Sequence, residues 1–240
     1  MCFTLSPLLL LCWLLAQLRI VLGNMNPSTS LLMISLTIAL GTSAAVIPVS
    51  NQSLNVKRDV WQPVVGSGWQ IELRHSLTDT SLDVPVYDID LVENSASTIS
   101  ALQGSGRKVI CYFSTGTFES WRPDASSFTA VDKGNPLDGW PGEWWLNTKS
   151  TNVRNIMTAR LDLAVSKGCD GVDPDNVDGY KQGTSFGLTT ADAVDYISFL
   201  ADAAHTRGLS IGLKNAGEIV PNVLSLMQWE VNEQCTRYKE

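Results

Sequence analysis

Acidic side chains and amides recur in this sequence at short, even spacings, each time directly after an apolar run. Asp88 and Asp90 close one such run and Ser114 and Thr115 another. Asp173, Asp175, Asn176 and Asp178 follow a third, Lys214 and Asn215 a fourth, and Asn232 and Glu233 a fifth. Carboxylates brought together in pairs do general acid–base and nucleophilic work, above all at an anomeric carbon, where one acid protonates the leaving oxygen and the other meets the developing positive charge. Tryptophans accompany them: Trp121, Trp140, Trp144 and Trp145 crowd the stretch 114–147. Flat aromatic faces beside paired acids suit a sugar ring. Other chemistries lack their residues. There is no G-x-S-x-G, no HExxH and no Walker loop, and two histidines leave little for a His-rich metal centre. Asp173-Pro-Asp175-Asn-Val-Asp178-Gly has a calcium-loop flavour but lacks the third ligand in phase and the terminal Glu. The reading is therefore of a site without metal or cofactor.

The elements that must position these residues alternate in type. Trp69–Leu73, Val84–Asp90, Lys108–Phe113, Gly171–Asp173, Ser210–Lys214 and Met227–Val231 read as strands. Val153–Lys167 and Thr190–Arg207 carry apolar residues at three- and four-residue spacing and stop at Gly168 and Gly208, which predicts helices, the second capped by Thr190. Strand–helix alternation means βα units on a parallel sheet. Polar residues at five strand ends fit the C-terminal rim of a (β/α) barrel better than the single switch point of an open doubly wound sheet. Ser114–Asn147 has neither period and reads as a long functional loop.

Charge and length bound the rest. Residues 59–240 hold all 24 acidic residues and 14 of the 17 basic ones, a net −10 where the whole chain carries −7. Such a body repels nucleic acid and attracts cationic partners. Residues 1–45 read as a targeting region. Leu31–Val49 ends in Gly41-Thr-Ser-Ala-Ala45, which suits signal peptidase, and Met25 is an alternative start. The competing reading is a membrane anchor through Leu5–Leu22. Residues 46–58 read as a propeptide or linker, with a glycosylation acceptor at Asn51 and a dibasic pair at Lys57-Arg58. The expected destination is outside the cell. Cys111, Cys169 and Cys235 make an odd count; Cys111 and Cys169 pair only if their strands are neighbours.

Val109-Ile-Cys-Tyr-Phe-Ser-Thr-Gly116, Trp121-Arg-Pro-Asp-Ala125, Trp140-Pro-Gly-Glu143, Arg160-Leu-Asp-Leu-Ala164, Lys167 to Tyr180, Gly212-Leu-Lys-Asn215 and Val231-Asn-Glu-Gln-Cys235 stand in this order. Together they resemble glycoside hydrolase family 114, the endo-α-1,4-polygalactosaminidases, in its secreted fungal form. The resemblance implies a TIM barrel that cuts α-1,4-linked galactosamine polymers such as galactosaminogalactan. It places the two catalytic carboxylates on Asp175 and Glu233. It makes Asp88, Asp90, Tyr112, Ser114, Trp121, Glu143, Asp173, Asn176, Asp178, Lys214, Asn215 and Asn232 substrate-binding or supporting residues. Most relatives have Glu where this chain has Asp173, which draws the charge back by one methylene. The family barrel also continues past Asn-Glu-Gln-Cys, so about six of eight strands and no partner for Cys235 are expected. A cationic galactosamine polymer fits the −10 body. The other open reading is a non-catalytic binder of the same polymer. Asp175, expected to be kept ionised by Asn176 and Lys214, is read as the nucleophile. Glu233, on an apolar strand that should desolvate it, is read as the acid/base.

Overall fold

The computed structural model describes residues 2–4 and 60–233. The targeting region beyond Thr4, the acceptor at Asn51, the Lys57-Arg58 pair and Cys235 lie outside the described residues.

The strands are β1 (Cys2–Thr4), β2 (Trp69–Glu72), β3 (Val86–Asp90), β4 (Lys108–Ser114), β5 (Thr117–Glu119), β6 (Lys133–Pro136), β7 (Glu143–Leu146), β8 (Gly171–Asp175), β9 (Ser210–Lys214) and β10 (Trp229–Asn232). The helices are α1 (Ala96–Gly104), α2 (Thr151–Lys167), α3 (Thr190–Thr206) and a short α4 (Val220–Val223). The main sheet runs β1-β10-β9-β8-β4-β3-β2. Its strands from β2 to β10 are parallel and in chain order, and only β1 is antiparallel. This is the open (β/α)-barrel arrangement that the strand–helix alternation predicts.

Side chains alternate across the sheet. One parity, Tyr87, Ile89, Val109, Cys111, Phe113, Val172, Ile211 and Leu213, is buried with apolar residues of α1, α2 and α3. The other parity lines the inside of the curve. Val86, Ile110, Trp229 and Val231 pack there with Trp61 and Trp69 as a second, smaller cluster. Trp229 fills this interior only because Gly171 and Gly212 lack side chains. A Cβ on Gly212 would fall 2.0 Å from the Trp229 indole nitrogen. Continuing each inward row by two residues brings Asp88 and Asp90, Tyr112 and Ser114, Asp173 and Asp175, and Lys214 toward one mouth.

Helix ends follow local chemistry. Ser150 caps α2 by accepting from the Val153 N–H, and Gly168, in the left-handed region at φ +85°, ends it. The cap of α3 is Thr189, not Thr190. Thr189 accepts from the Asp192 N–H while Asp192 reaches back to the Thr189 N–H, a reciprocal pair that fixes the start one residue earlier. The stretch after β4 is not a structureless loop. It folds into a three-stranded antiparallel sheet, β5-β7-β6, whose pairing spans residues far apart in sequence and so leaves no local period. Cys111 on β4 and Cys169, just before the neighbouring β8, form a disulfide with Cα atoms 6.0 Å apart.

Candidate active site

Lys214, the last residue of β9, is fully buried at the centre of the mouth. Its Nζ stands 3.5 Å from Asp173, 3.7 Å from Asp175 and 3.7 Å from Glu233, and 5.0 Å from the centroid of the Tyr112 ring. Burial works against the ammonium, but Asp173, Asp175, Glu233 and Asp88 outweigh it and raise the lysine's pKa. One cation thus holds three carboxyls together.

Asp175 is half-buried and accepts a 2.8 Å hydrogen bond from the Tyr112 hydroxyl. Its partner is this tyrosine and not Asn176, whose amide donates instead to Ser114 and Thr117. Burial, and then the charge of Asp175, push the Tyr112 phenol well above its ordinary value, so it remains a donor. The backbone around Asp175 is pinned as well. The Thr115 and Gly116 N–H groups and the Thr115 hydroxyl all donate to its carbonyl. Asn176 adopts φ +59°, and its carbonyl lies where a Cβ on Gly116 would be, 1.6 Å away.

Glu233 stands just beyond β10. Asn215, itself at φ +57°, donates its amide to Glu233 Oε2 at 3.0 Å and accepts from the Glu233 N–H at 3.1 Å. Contrary to the expectation from an apolar strand, this carboxyl is not desolvated: 37% of the side chain is exposed. The strand parity that buries Trp229 and Val231 carries Glu233 past the end of the sheet into the open mouth.

Below these two acids lie Asp88 and Asp173, both fully buried. Their four oxygens and the Lys214 Nζ make no hydrogen bond of good geometry. They interact through charge. Burial pushes Asp173 up to about 6 against the pull of Lys214, and burial together with Asp173 pushes Asp88 well above the usual carboxylate range. Asp88 is therefore part of the sealed floor rather than a rim contact.

Asp90 is also occupied. Both of its oxygens receive the Arg122 guanidinium, at 2.7 and 3.0 Å, and Arg122 also holds both oxygens of Glu119. Arg160 of α2 donates to both oxygens of Asp124 and to the Ser114 carbonyl. This buried brace, which sequence reasoning missed, fastens the β5-β7-β6 sheet to the barrel. Its signal was present in the Trp121-Arg-Pro-Asp and Arg160-Leu-Asp motifs but carries no periodicity. Asp170 belongs to the opposite, N-terminal end of β8, where it pairs with Lys108.

The fastened sheet delivers Thr117 and Glu143 to Ser114, the last residue of β4, which pairs with Asp175 on β8. The Thr117 hydroxyl donates to Glu143 at 2.9 Å and shares a 2.6 Å bond with Ser114. Trp121 and Trp140 are each 53% exposed, and the six-membered ring of Trp121 lies against Gly142. Trp145 is core, and Trp144 packs against Phe118. Asp178 accepts from Gln182 beside the mouth, and Asn232 is the half-buried last residue of β10. The arrangement offers one well-anchored carboxylate, one open carboxyl and a shared cation, which together can cleave an acetal.

The comparisons agree with this chemistry. A family model described as glycoside-hydrolase family GH114 matches residues 50–240. The crystal structure of Aspergillus fumigatus Ega3 in complex with galactosamine is similar at 60% identity and a TM-score of 0.74, covering 75% of this chain and 72% of that one. The glycoside hydrolase domain of PelA from Pseudomonas aeruginosa is similar at 14% identity and a TM-score of 0.53, covering 68% of this chain and 66% of that one. At that identity the likeness concerns the fold. No curated protein matches the chain.

Proposed function

From the premise that this chain belongs to glycoside hydrolase family GH114, we propose that it cleaves α-1,4-linked galactosamine polymers internally, with retention, through Asp175 and Glu233. The observation that carries the reading is the single Lys214 Nζ placed 3.7 Å from each of these carboxyls at the C-terminal mouth of the barrel. Asp175 attacks the anomeric carbon while Glu233 gives its proton to the departing glycosidic oxygen. A covalent glycosyl–Asp175 ester forms and the C–O bond to the leaving chain breaks. Glu233, now a carboxylate, takes a proton from water, whose oxygen displaces Asp175 and regenerates both groups. The Tyr112 hydrogen bond fixes the attacking carboxylate, and the openness of Glu233 suits a group that must meet both leaving oxygen and water. The galactosamine seen with the Ega3 relative supports the substrate class, and a body at −10 supports attraction of a polyamine chain.

Reducing-end release from deacetylated galactosaminogalactan is the direct test. The wild type should release ends, and Glu233→Gln should fall by roughly 10²–10⁴-fold. Binding without release by the wild type would make the chain a binder. Retention requires carboxyls about 5–5.5 Å apart rather than roughly 6.5–9.5 Å. An inverted anomer as the first product by NMR would overturn it.

Secretion is part of the same reading. The Cys111–Cys169 disulfide supports an oxidising compartment, and the run Leu31–Val49 with its small-residue end supports a cleaved signal. N-terminal sequencing of the extracellular protein should begin after Ala44, Ala45 or Arg58. A start at Met1 would instead support the anchored form.

A further inference from the structure

Three consecutive peptide carbonyls at the end of β4 are each taken by a different element. The Ser114 carbonyl accepts from Arg160 of α2 at 2.7 Å, the Thr115 carbonyl from the Tyr196 hydroxyl of α3 at 2.8 Å, and the Gly116 carbonyl from the Leu146 N–H of β7 at 2.8 Å. The donors of this segment point the other way. The Thr115 N–H, the Gly116 N–H and the Thr115 hydroxyl reach the Asp175 carbonyl at 3.0, 3.1 and 2.9 Å. All three residues are buried, so a lost partner leaves a polar group unpaired away from water. Of the three anchors, Arg160 also holds Asp124, and Leu146 acts through its backbone. The Tyr196 hydroxyl donates to Thr115 alone among the described residues, across 81 positions of the chain. The Tyr196 ring is 1% exposed, stacks on Phe199 with centroids 6.2 Å apart and lies 5.7 Å from the Arg154 guanidinium. Phenylalanine would meet that packing as well. What tyrosine adds is a buried hydroxyl, and a buried hydroxyl needs the partner it has here.

We propose that Tyr196 is a positioning residue for Asp175, acting from α3 through the peptide between Thr115 and Gly116. That peptide is a planar unit. Its carbonyl edge belongs to Thr115 and is held by Tyr196; its N–H edge belongs to Gly116 and is aimed at the Asp175 carbonyl. Fixing one edge fixes the other, so the helix sets the backbone from which the attacking carboxyl projects. The carboxyl itself has narrow tolerances: it must keep its 2.8 Å bond from Tyr112 and its 3.7 Å distance from Lys214. A displacement of about 1 Å in a reacting group costs up to roughly 10²-fold in rate. Tyr196 touches neither substrate nor reacting atoms in this role, which rests on the hydrolase reading above with Asp175 as the attacking group.

Tyr196→Phe keeps the ring and removes the hydroxyl. On deacetylated galactosaminogalactan its kcat should fall about tenfold while KM stays within about twofold, because a misaligned nucleophile weakens the transition state and leaves substrate binding intact. Ile197→Val separates this from a loss of stability. Ile197 is the next residue of α3 and is fully buried in the core, so the variant should lower Tm by a few degrees, as Tyr196→Phe does, and keep the wild-type kcat. A Tyr196→Phe kcat within about twofold of wild type would overturn the proposal. So would an equal kcat loss in Ile197→Val, or a rise in KM with kcat unchanged. If the wild type cleaves no polymer at all, the hydrolase reading fails, and crystal structures of wild type and Tyr196→Phe decide the role of Tyr196 by themselves. The Asp175 carboxyl should then be seen to leave the Tyr112 hydroxyl in the variant, and a carboxyl that keeps that bond would overturn the proposal.

Discussion

Lys214 carries more of the site than either acid. Its ammonium is buried without a hydrogen bond and faces three carboxyls from two strand ends, two of them facing the cleft and one sealed beneath it. Replacing it with methionine keeps the volume and removes the charge, which leaves Asp173 and Asp175 to repel one another. Breaking a buried charge cluster in this way costs about 3–5 kcal/mol. Urea unfolding at neutral pH should show Lys214→Met destabilised by that order, with the deficit shrinking in acid as the carboxyls take up protons. Turnover should drop by roughly 10²-fold, the scale of one lost electrostatic donor in a water-poor site. A variant as stable as wild type at neutral pH would show that Lys214 is a spectator.

At the scale of elements, the active geometry depends on how β4 and β8 run side by side. Asp175 is aimed by three donors from Thr115 and Gly116 onto its own carbonyl, and this approach is possible only because Gly116 lacks a side chain. Gly116→Ala sets a methyl group into the Asn176 backbone. It should cost about 1–3 kcal/mol and lower kcat at least tenfold, while circular dichroism stays native. Gly183→Ala, whose Cβ meets nothing within 4 Å, should change neither quantity and serves as the control. The sheet, its strand order and helices α2 and α3 were legible in the sequence because each is written in a local period of two or 3.6 residues. The helix α1 was not, since only Ile99 and Leu102 of its residues are buried and no stripe results. Nor was the β5-β7-β6 sheet, whose register is set by non-local pairing and whose third strand, Lys133-Gly-Asn-Pro136, has the composition of a turn. The same distinction divides the site. Asp175, Glu233 and Lys214 are placed by strand ends, which the sequence shows. The Tyr112 bond to Asp175, the Arg122 cage on Asp90 and the opposition of Glu119 and Glu143 are contacts between segments far apart in the chain. They became visible only with the fold.

Over the whole molecule, several acids in and around the mouth are held in a way that ties stability to pH. Folding raises Asp88 well above its ordinary value, Asp173 to about 6 and Glu143 to about 7, in each case chiefly through burial. The folded chain therefore binds more protons than the unfolded one from about pH 4 up to about pH 7. Stability that these groups contribute in acid is lost as pH rises through their folded values. The opposite set acts lower. Despite burial, Arg160 holds Asp124 below its ordinary value, and hydrogen bonds from Ser150 and Thr129 hold Asp132 at about 2. Their contribution is present above the unfolded carboxylate value and disappears as pH falls through theirs. The two sets leave a stability maximum near pH 4–5, on the acid side of neutrality. Carboxyls raised this far imply a loss of a few kcal/mol on going to pH 8, or roughly 5–10 °C in Tm for a domain of this size. Thermal melts at stepped pH should show that fall. Asp88→Asn removes the deepest of the titrating groups while keeping its shape, so its melting curve should flatten across the same range. A wild-type Tm that stays level or rises from pH 5 to pH 8 would mean that the floor of the site keeps its charges without penalty, and that Lys214 alone suffices to hold them.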